Sequence, residues 1–160
     1  MNSLSVLLWG IVLSVLPITE LRGGIPFALA QGINPFIAFI FCVAANIMVI
    51  SFLFLFLDYF HVHLLKTKFY RRTFNAFLKK LRTHKINVEK NYQTYGFIAL
   101  TIFTAIPLPV TGAWTATIIA WLLNLQRKKS FLAIAFGVII AGIVVTLITL
   151  GVITMFKFMI

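Results

Sequence analysis

The sequence predicts an all-α integral membrane protein, an inverted repeat in which each half has a re-entrant helical hairpin and a transmembrane helix. Three observations predict it: an apolar composition, two long charge-free stretches, and two apolar regions interrupted by proline. Of the 160 residues, 61% are hydrophobic and only 11% are charged. Because so few charges could not cover a soluble domain, we expect one membrane domain over residues 1–160, with lipid as its main solvent.

The net charge of +11 comes mainly from one block, since nine of the fourteen Lys and Arg residues lie in residues 66–90. A basic block between apolar segments is typical of a cytoplasmic loop facing anionic lipid, so no nucleic-acid partner is expected. Cys42 is the single cysteine and lies in an apolar run. A disulfide framework is therefore impossible, and redox chemistry is not expected.

The first re-entrant hairpin is predicted over residues 1–35. The apolar run of residues 4–16 is too short to span a bilayer and stops at Pro17, where proline removes a backbone donor and clashes with the preceding turn. A second apolar piece, residues 25–33, follows Gly23 and Gly24. The first run lacks a preceding basic residue and a following A-x-A-like site, so we expect it in the mature protein.

A transmembrane helix is predicted next, over residues 36–58, because residues 36–57 carry no charge. Residues 61–95 are predicted to form the basic cytoplasmic loop. Aromatic and leucine residues recur there at helical spacing, which predicts an amphipathic helix on the inner leaflet. The cations expected to anchor this helix to the membrane surface are Arg71, Arg72, Lys79, Lys80 and Arg82.

The second re-entrant hairpin is predicted over residues 96–126, where Pro107, Pro109 and Gly112 interrupt the apolar run. A proline-kinked spanning helix is the alternative. The re-entrant form is favoured because basic clusters flank the run on both sides, and a spanning helix would place one of them outside the cell. Residues 131–156 are charge-free and predict the second transmembrane helix.

The two halves align around their breaks and long helices. Residues 16–19 (Leu-Pro-Ile-Thr) align with residues 106–109 (Ile-Pro-Leu-Pro), and Phe36 aligns with Phe131. In this register one face of each long helix carries small or polar residues, which allow close helix packing. These residues are Ala38, Cys42, Asn46, Ala133, Gly137 and Ala141. The first hairpin would then enter from outside and the second from inside, as in many transporters.

Glu20 and Arg22 are the candidate functional residues of the first break. The other acids, Asp58 and Glu89, are expected at the interface and in the basic loop. A charge at the bilayer centre costs roughly 2.5–3.5 kcal/mol, so such a residue usually faces a cavity or pairs with another charge. The functional interpretation is a substrate or proton site. The alternatives are a mutually satisfied pair and a hairpin tip exposed at the outer interface.

The second break contributes hydroxyls, free backbone groups and a tryptophan, but no ionisable group. Helices starting after Gly24 and Gly112 would point their N-termini into the breaks, where they would favour binding of an anion. The alternative is that the glycines and prolines only shape the turns. We expect the two breaks to meet near the bilayer midplane. The predicted transport and substrate site comprises Glu20, Arg22, Gly23, Gly24, Pro26, Pro107, Pro109, Thr111, Gly112 and Trp114.

Enzymatic chemistry is not expected. The sequence has no phosphate-binding glycine loop, nucleophile motif or metal cluster. His61 and His63 are two residues apart, so on a helix they do not share a face that could bind a metal. We therefore predict neither a cofactor nor a metal site.

Residues 20–26 (Glu-Leu-Arg-Gly-Gly-Ile-Pro) and 107–115 (Pro-Leu-Pro-Val-Thr-Gly-Ala-Trp-Thr) resemble the bacterial and archaeal small multidrug export proteins. That family is distantly similar to the DedA or VTT-domain (SNARE-associated) membrane proteins. The resemblance covers nearly the whole chain. It implies a multi-pass prokaryotic cell-membrane protein with hairpins packed tip to tip, and it suggests movement of polyprenyl-phosphate or phospholipid and proton-dependent drug tolerance. Thr111 and Trp114 lie where the DedA pattern has an arginine.

Three functions follow as hypotheses. In the first, a DedA-like transporter couples protons to the translocation or flipping of an anionic lipid or other amphiphile. Glu20 would titrate, while Arg22 and Thr111 would bind the head group. The second is a proton-coupled exporter of lipophilic cations or drugs, which is disfavoured because Arg22 beside Glu20 opposes cation binding. The third is a non-transporting scaffold or assembly factor. Expected partners are membrane lipids and protons or another coupling ion, and the chain length is compatible with a homodimer.

Overall fold

A computed structural model describes residues 2–64, 89–107 and 111–159 of the chain. Within these ranges every regular element is an α-helix, which confirms the predicted all-α class for the described residues. The helices are α1 (Ser3–Val15), α2 (Glu20–Ala30), α3 (Pro35–Leu64), α4 (Glu89–Ala105), α5 (Ala113–Leu122) and α6 (Arg127–Met159). The five predicted anchor cations, Arg71, Arg72, Lys79, Lys80 and Arg82, lie outside the described residues.

Two helices are long and apolar enough to cross a membrane, and they lie where the two spans are predicted. The stretches are Pro35–Tyr59 within α3 and Arg127–Met155 within α6. Both helices extend beyond the charge-free residues, since α6 begins at a run of three cations and α3 continues to Leu64, inside the predicted loop. Basic and aromatic residues at helix ends can reach the membrane–water interface, so such extensions are compatible with a bilayer.

Proline ends the first helix of each half at the expected place. α1 ends at Val15, two residues before Pro17, and α4 ends at Ala105, two residues before Pro107. The prediction was wrong about where α2 begins, since α2 starts at Glu20 instead of after Gly24. The glycine is needed inside the helix rather than before it. A methyl group at Gly24 would overlap the Ser14 side chain and the Gly10 carbonyl oxygen of α1.

Helix contacts relate the two halves to each other. α1 packs against α3, and α4 packs against α6. The second helix of each hairpin contacts both long helices, α2 as well as α5. The hairpins themselves differ, because α1 and α2 pack closely along each other whereas α4 and α5 share little contact. The re-entrant insertion and the inverted orientation of the halves stay predictions, since they refer to a membrane.

The predicted small-residue faces of α3 and α6 lie in the core. All six members are buried: Ala38, Cys42, Asn46, Ala133, Gly137 and Ala141. A Cβ atom at Gly137 would come within 2.6 Å of the Thr104 Cβ atom in α4. A Cβ atom at Gly10 of α1 would lie 3.8 Å from the Cys42 Sγ atom. Each face therefore lies against the first helix of its own half.

Candidate functional site

The two helix breaks are in contact. The backbone N–H of Trp114 donates a hydrogen bond to Glu20 Oε1 at 3.3 Å. Arg22 Nη2 donates to Thr111 Oγ1, also at 3.3 Å. These partners are 94 and 89 residues apart in the sequence. The structure therefore brings the two charged residues of the first break together with the second break.

Glu20 caps helix α5, which belongs to the other hairpin. The first N–H groups of a helix have no partner within it, and a carboxylate is favoured there by the helix dipole. α5 begins at Ala113, so the Trp114 N–H is one of these groups. Gly112 makes room for the cap, because a methyl group at this position would overlap the Glu20 carboxylate. Glu20 is only 8% exposed.

The backbone of Glu20 is in the left-handed region, with φ at 46°. A residue with a side chain pays roughly 1–3 kcal/mol for such a conformation, which persists only where the surroundings enforce it. Here the backbone N–H donates to the Leu16 carbonyl oxygen at 3.0 Å, while the side chain caps α5. The first break thus holds its carboxylate in place at the expense of local strain.

Arg22 lies beside this carboxylate without forming a close ion pair. The distance from Arg22 Nη2 to Glu20 Oε2 is 4.0 Å, and the two side chains are 23% and 11% exposed. The Thr111 hydroxyl that accepts from Arg22 itself donates to the Ile106 carbonyl oxygen at 2.8 Å. Among the described residues Arg22 forms no other side-chain hydrogen bond, so most of its N–H donors are available to a ligand.

The backbone carbonyl groups at the C-terminal end of α1 accept hydrogen bonds from three parts of the molecule. The last carbonyls of a helix lack intrahelical partners, and lipid supplies none. The Leu16 N–H and the Thr19 hydroxyl come from the break, an amide comes from α3, and an indole comes from α5. The bonds are Leu16 N to Val12 O at 3.3 Å, Thr19 Oγ1 to Leu13 O at 2.5 Å, Asn46 Nδ2 to Ser14 O at 3.1 Å and Trp114 Nε1 to Val15 O at 3.0 Å.

Asn46 therefore has a polar role in addition to its place in the packing face. It is 1% exposed, and among the described residues its Oδ1 atom has no hydrogen-bond partner. The Ser14 hydroxyl nearby donates to the Gly10 carbonyl oxygen at 2.8 Å. A small polar cluster thus lies between α1 and α3, next to the first break. Ser14 was not among the predicted site residues, although its four-residue spacing from Gly10 places both residues on one face of α1.

The other members of the predicted site are seen through the packing of the hairpins. Gly24 packs on α1, and a Cβ atom at Gly23 would come within 2.8 Å of the Thr19 Cβ atom. Pro26 is half-buried within α2, and Pro107 is half-buried just after α4. The contacts of Gly23 and Gly24 are therefore with the first hairpin itself, and the part of these residues in a substrate site stays a prediction. Pro109 lies outside the described residues.

A second polar cluster lies at the other end of α5. Trp121 Nε1 donates to Asp58 Oδ1 at 3.0 Å, and Asp58 also forms an ion pair with Arg127. The cluster joins the end of the apolar stretch of α3 to the last turn of α5 and the first turn of α6. This pair could have been predicted from the sequence, because Asp58 ends the first charge-free stretch and Arg127 precedes the second. The described residues contain no group of three His, Cys, Asp or Glu side chains that could hold a metal.

Comparison with known proteins gives one family. The family model described as "Putative small multi-drug export protein" matches residues 20–144. The match begins at Glu20 and includes Arg22, Thr111 and Trp114. No curated protein and no solved structure matches the chain.

Proposed function

The chain belongs to the small multi-drug export protein family, whose name describes membrane transporters, and we propose that its substrate site lies where its two breaks meet. The observation that carries this proposal is the buried Glu20 and the half-buried Arg22, both in contact with the second break. Ionisable residues within membrane segments are costly and usually functional. Family membership and the two long apolar helices support a membrane protein of the exporter type.

We further propose that both hairpins are re-entrant and inserted from opposite sides, with the basic loop of residues 66–90 in the cytoplasm. Helix lengths support this arrangement, since α1 has 13 residues and α5 has 10, whereas a span needs about 20. The basic clusters on both sides of α4 and α5 support it as well. Irregular backbone at membrane depth is tolerated only when protein or a water-filled cavity surrounds it.

The chemistry of the site favours an anionic amphiphile, as in DedA-like translocation or flipping of a lipid. Arg22 has available donors, Thr111 supplies a hydroxyl, and the N-terminus of α5 favours negative charge. Glu20 is the group proposed to take up and release the coupled proton. A free cation would have to approach Glu20 against the charge of Arg22, 4.0 Å away.

Export of lipophilic cations or drugs is the second candidate, because the name of the family refers to multi-drug export. In that case the buried Glu20 carboxylate would take either the cation or the proton. Arg22 would then have to move away from the carboxylate during the cycle. The two candidates therefore predict opposite effects of removing the arginine charge.

The test uses the full chain in liposomes of neutral lipid carrying a trace of fluorescent phosphatidylglycerol. Dithionite, added outside, bleaches only the outer leaflet, so flipping extends bleaching beyond about half of the probe. We expect flipping that depends on a pH gradient, and a loss of about tenfold or more in rate with either Glu20→Gln or Arg22→Gln, since each removes a group of the site. Asp58→Asn makes the same carboxylate-to-amide change outside the site and should keep most of the rate.

A parallel experiment replaces the lipid probe with ethidium uptake. If ethidium moves, the lipid probe does not, and Arg22→Gln keeps or raises uptake, the cation exporter is correct. If neither probe moves in any variant that folds, the transporter proposal is contradicted in favour of a membrane scaffold. Reconstitution yield and unfolding temperature of each variant separate lost transport from lost folding.

A further inference from the structure

We propose that the Glu20 carboxylate is a built-in competitor of the transported anion. In this inference the carboxylate and the anionic group of the substrate, a phosphate diester or a carboxylate, occupy the N-terminus of α5 alternately. The inference rests on the proposed function, because it assumes that the anion binds where the two breaks meet. It adds a regulation of that site, in which binding requires Glu20 to leave.

The first argument is that the anion position is already filled. The N-terminus of α5 accepts a carboxylate in this structure, because the Trp114 N–H donates to Glu20 Oε1. A carboxyl group therefore already lies at this helix end, which the helix dipole also favours for an anion. A substrate anion that used the same N–H would have to displace Glu20.

The second argument is the lack of space for two anions. The Glu20 carboxylate occupies the volume that a side chain at Gly112 would fill, and the residue is 8% exposed. Two negative charges at one helix end would also repel each other in a medium of low dielectric constant. The carboxylate and a substrate anion therefore exclude each other both sterically and electrostatically.

The third argument is that displacement has compensations. Leaving the cap would allow the left-handed backbone of Glu20, with φ at 46°, to relax. Arg22 lies 4.0 Å from the carboxylate, forms one hydrogen bond to Thr111, and has further donors for an incoming anion. An anion held between Arg22 and the Trp114 N–H would thus replace the interactions that Glu20 gives up.

Neutralising Glu20 with a proton would favour the exchange, since a neutral carboxyl group is a weak partner for a helix N-terminus. Arg22 is the charged group facing Glu20 within α2. α1 and α5 contain no titratable side chain. In α3 the Cys42 thiol is the nearest such group along the chain, and Asp58 lies at the far end against Trp121. The cations that begin α6 lie at that far end too, where Arg127 pairs with Asp58.

The test measures binding of a short-chain, water-soluble phosphatidylglycerol to the purified full chain in detergent by titration calorimetry, with inorganic phosphate in a parallel series. In mildly alkaline buffer Glu20→Gln should bind the lipid at least about tenfold more tightly than the wild type, if the wild-type site is open in about a tenth of molecules or fewer. Acidification should tighten wild-type binding and leave Glu20→Gln unchanged. The wild-type pH series needs no variant and so does not depend on whether Glu20→Gln folds.

Equal or weaker binding by Glu20→Gln, or wild-type binding that does not change with pH, would overturn the inference while leaving the anion site in place. Loss of binding in Arg22→Gln supports the site itself. Equal binding by Arg22→Gln and the wild type, or no binding in any variant, would refute the proposed anion site and the inference with it. Tight binding of inorganic phosphate as well as lipid identifies a free anion, and lipid binding alone identifies a head group. Asp58→Asn is the matched control and should bind as the wild type does.

Discussion

The two hairpins of this chain have the same order of elements but different packing. In the first, α1 and α2 lie close because Gly10 and Gly24 face each other, and the Ser14 side chain of α1 fills the space beside Gly24. Counted from the helix ends at the breaks, Leu100 and Thr117 take the corresponding places in the second hairpin, and both are buried. These larger residues are compatible with the separation of α4 from α5, which instead pack on the long helices.

The difference suggests a division of roles between the hairpins. The closely packed first hairpin carries both charges of the site and holds Glu20 in a strained backbone conformation. The open second hairpin contributes neutral groups: a helix N-terminus, a hydroxyl and an indole. A rigid charged element and an uncharged partner that can separate from it would suit a site that must bind and release a ligand.

The largest predicted effect comes from forcing the first hairpin apart. Gly24→Ala places a methyl group on the Ser14 side chain and the Gly10 carbonyl oxygen. Such overpacking costs about 1–3 kcal/mol, so we expect a clear fall in unfolding temperature in mixed micelles. Gly151→Ala in α6 is the matched control, since its methyl group would meet nothing within 4 Å. Equal stability of the two variants would mean that the first hairpin is not closed as described.

A smaller effect is predicted for the bond that joins the hairpins. Trp114→Phe removes the indole N–H that donates to the Val15 carbonyl oxygen at 3.0 Å, and keeps most of the apolar surface. Because Val15 is exposed, we expect only the loss of about 0.5–1.5 kcal/mol that a typical hydrogen bond contributes to stability. Trp9→Phe makes the same change on an exposed face of α1 and should be nearly neutral. If Trp9→Phe costs as much, the indole bond does not join the hairpins.

The long helices and the breaks were predictable from sequence because few alternatives exist for them in lipid. A charge-free run of over twenty residues has to be helical there, and Pro17 and Pro107 cannot continue the helices before them. The start of α2 was mispredicted because a glycine pair fits both a turn and a close helix contact. Only the partner surface on α1, with Gly10 and Ser14, distinguishes the two.

The composition of the site was predictable, but its geometry was not. Glu20 and Arg22 are conspicuous because charges are rare in this chain, and Thr111 and Trp114 lie in the matching break. Sequence gives no sign that the Glu20 carboxylate caps α5, since that contact depends on a left-handed backbone and on the space at Gly112. The indole bond from Trp114 to Val15 likewise depends on tertiary packing.

The central claim is that the two breaks meet within one chain in the membrane. Its most direct test is a cysteine pair, Arg22→Cys with Thr111→Cys, in a Cys42→Ala background and in native membranes. The two side chains are in hydrogen-bond contact in the structure, so a short bismaleimide should link them within one molecule. The linked monomer should migrate faster than the unlinked monomer on a denaturing gel. The control pair, Arg22→Cys with Gln126→Cys in the connection between α5 and α6, should not link. Links only between molecules, or equal linking of both pairs, would contradict the account.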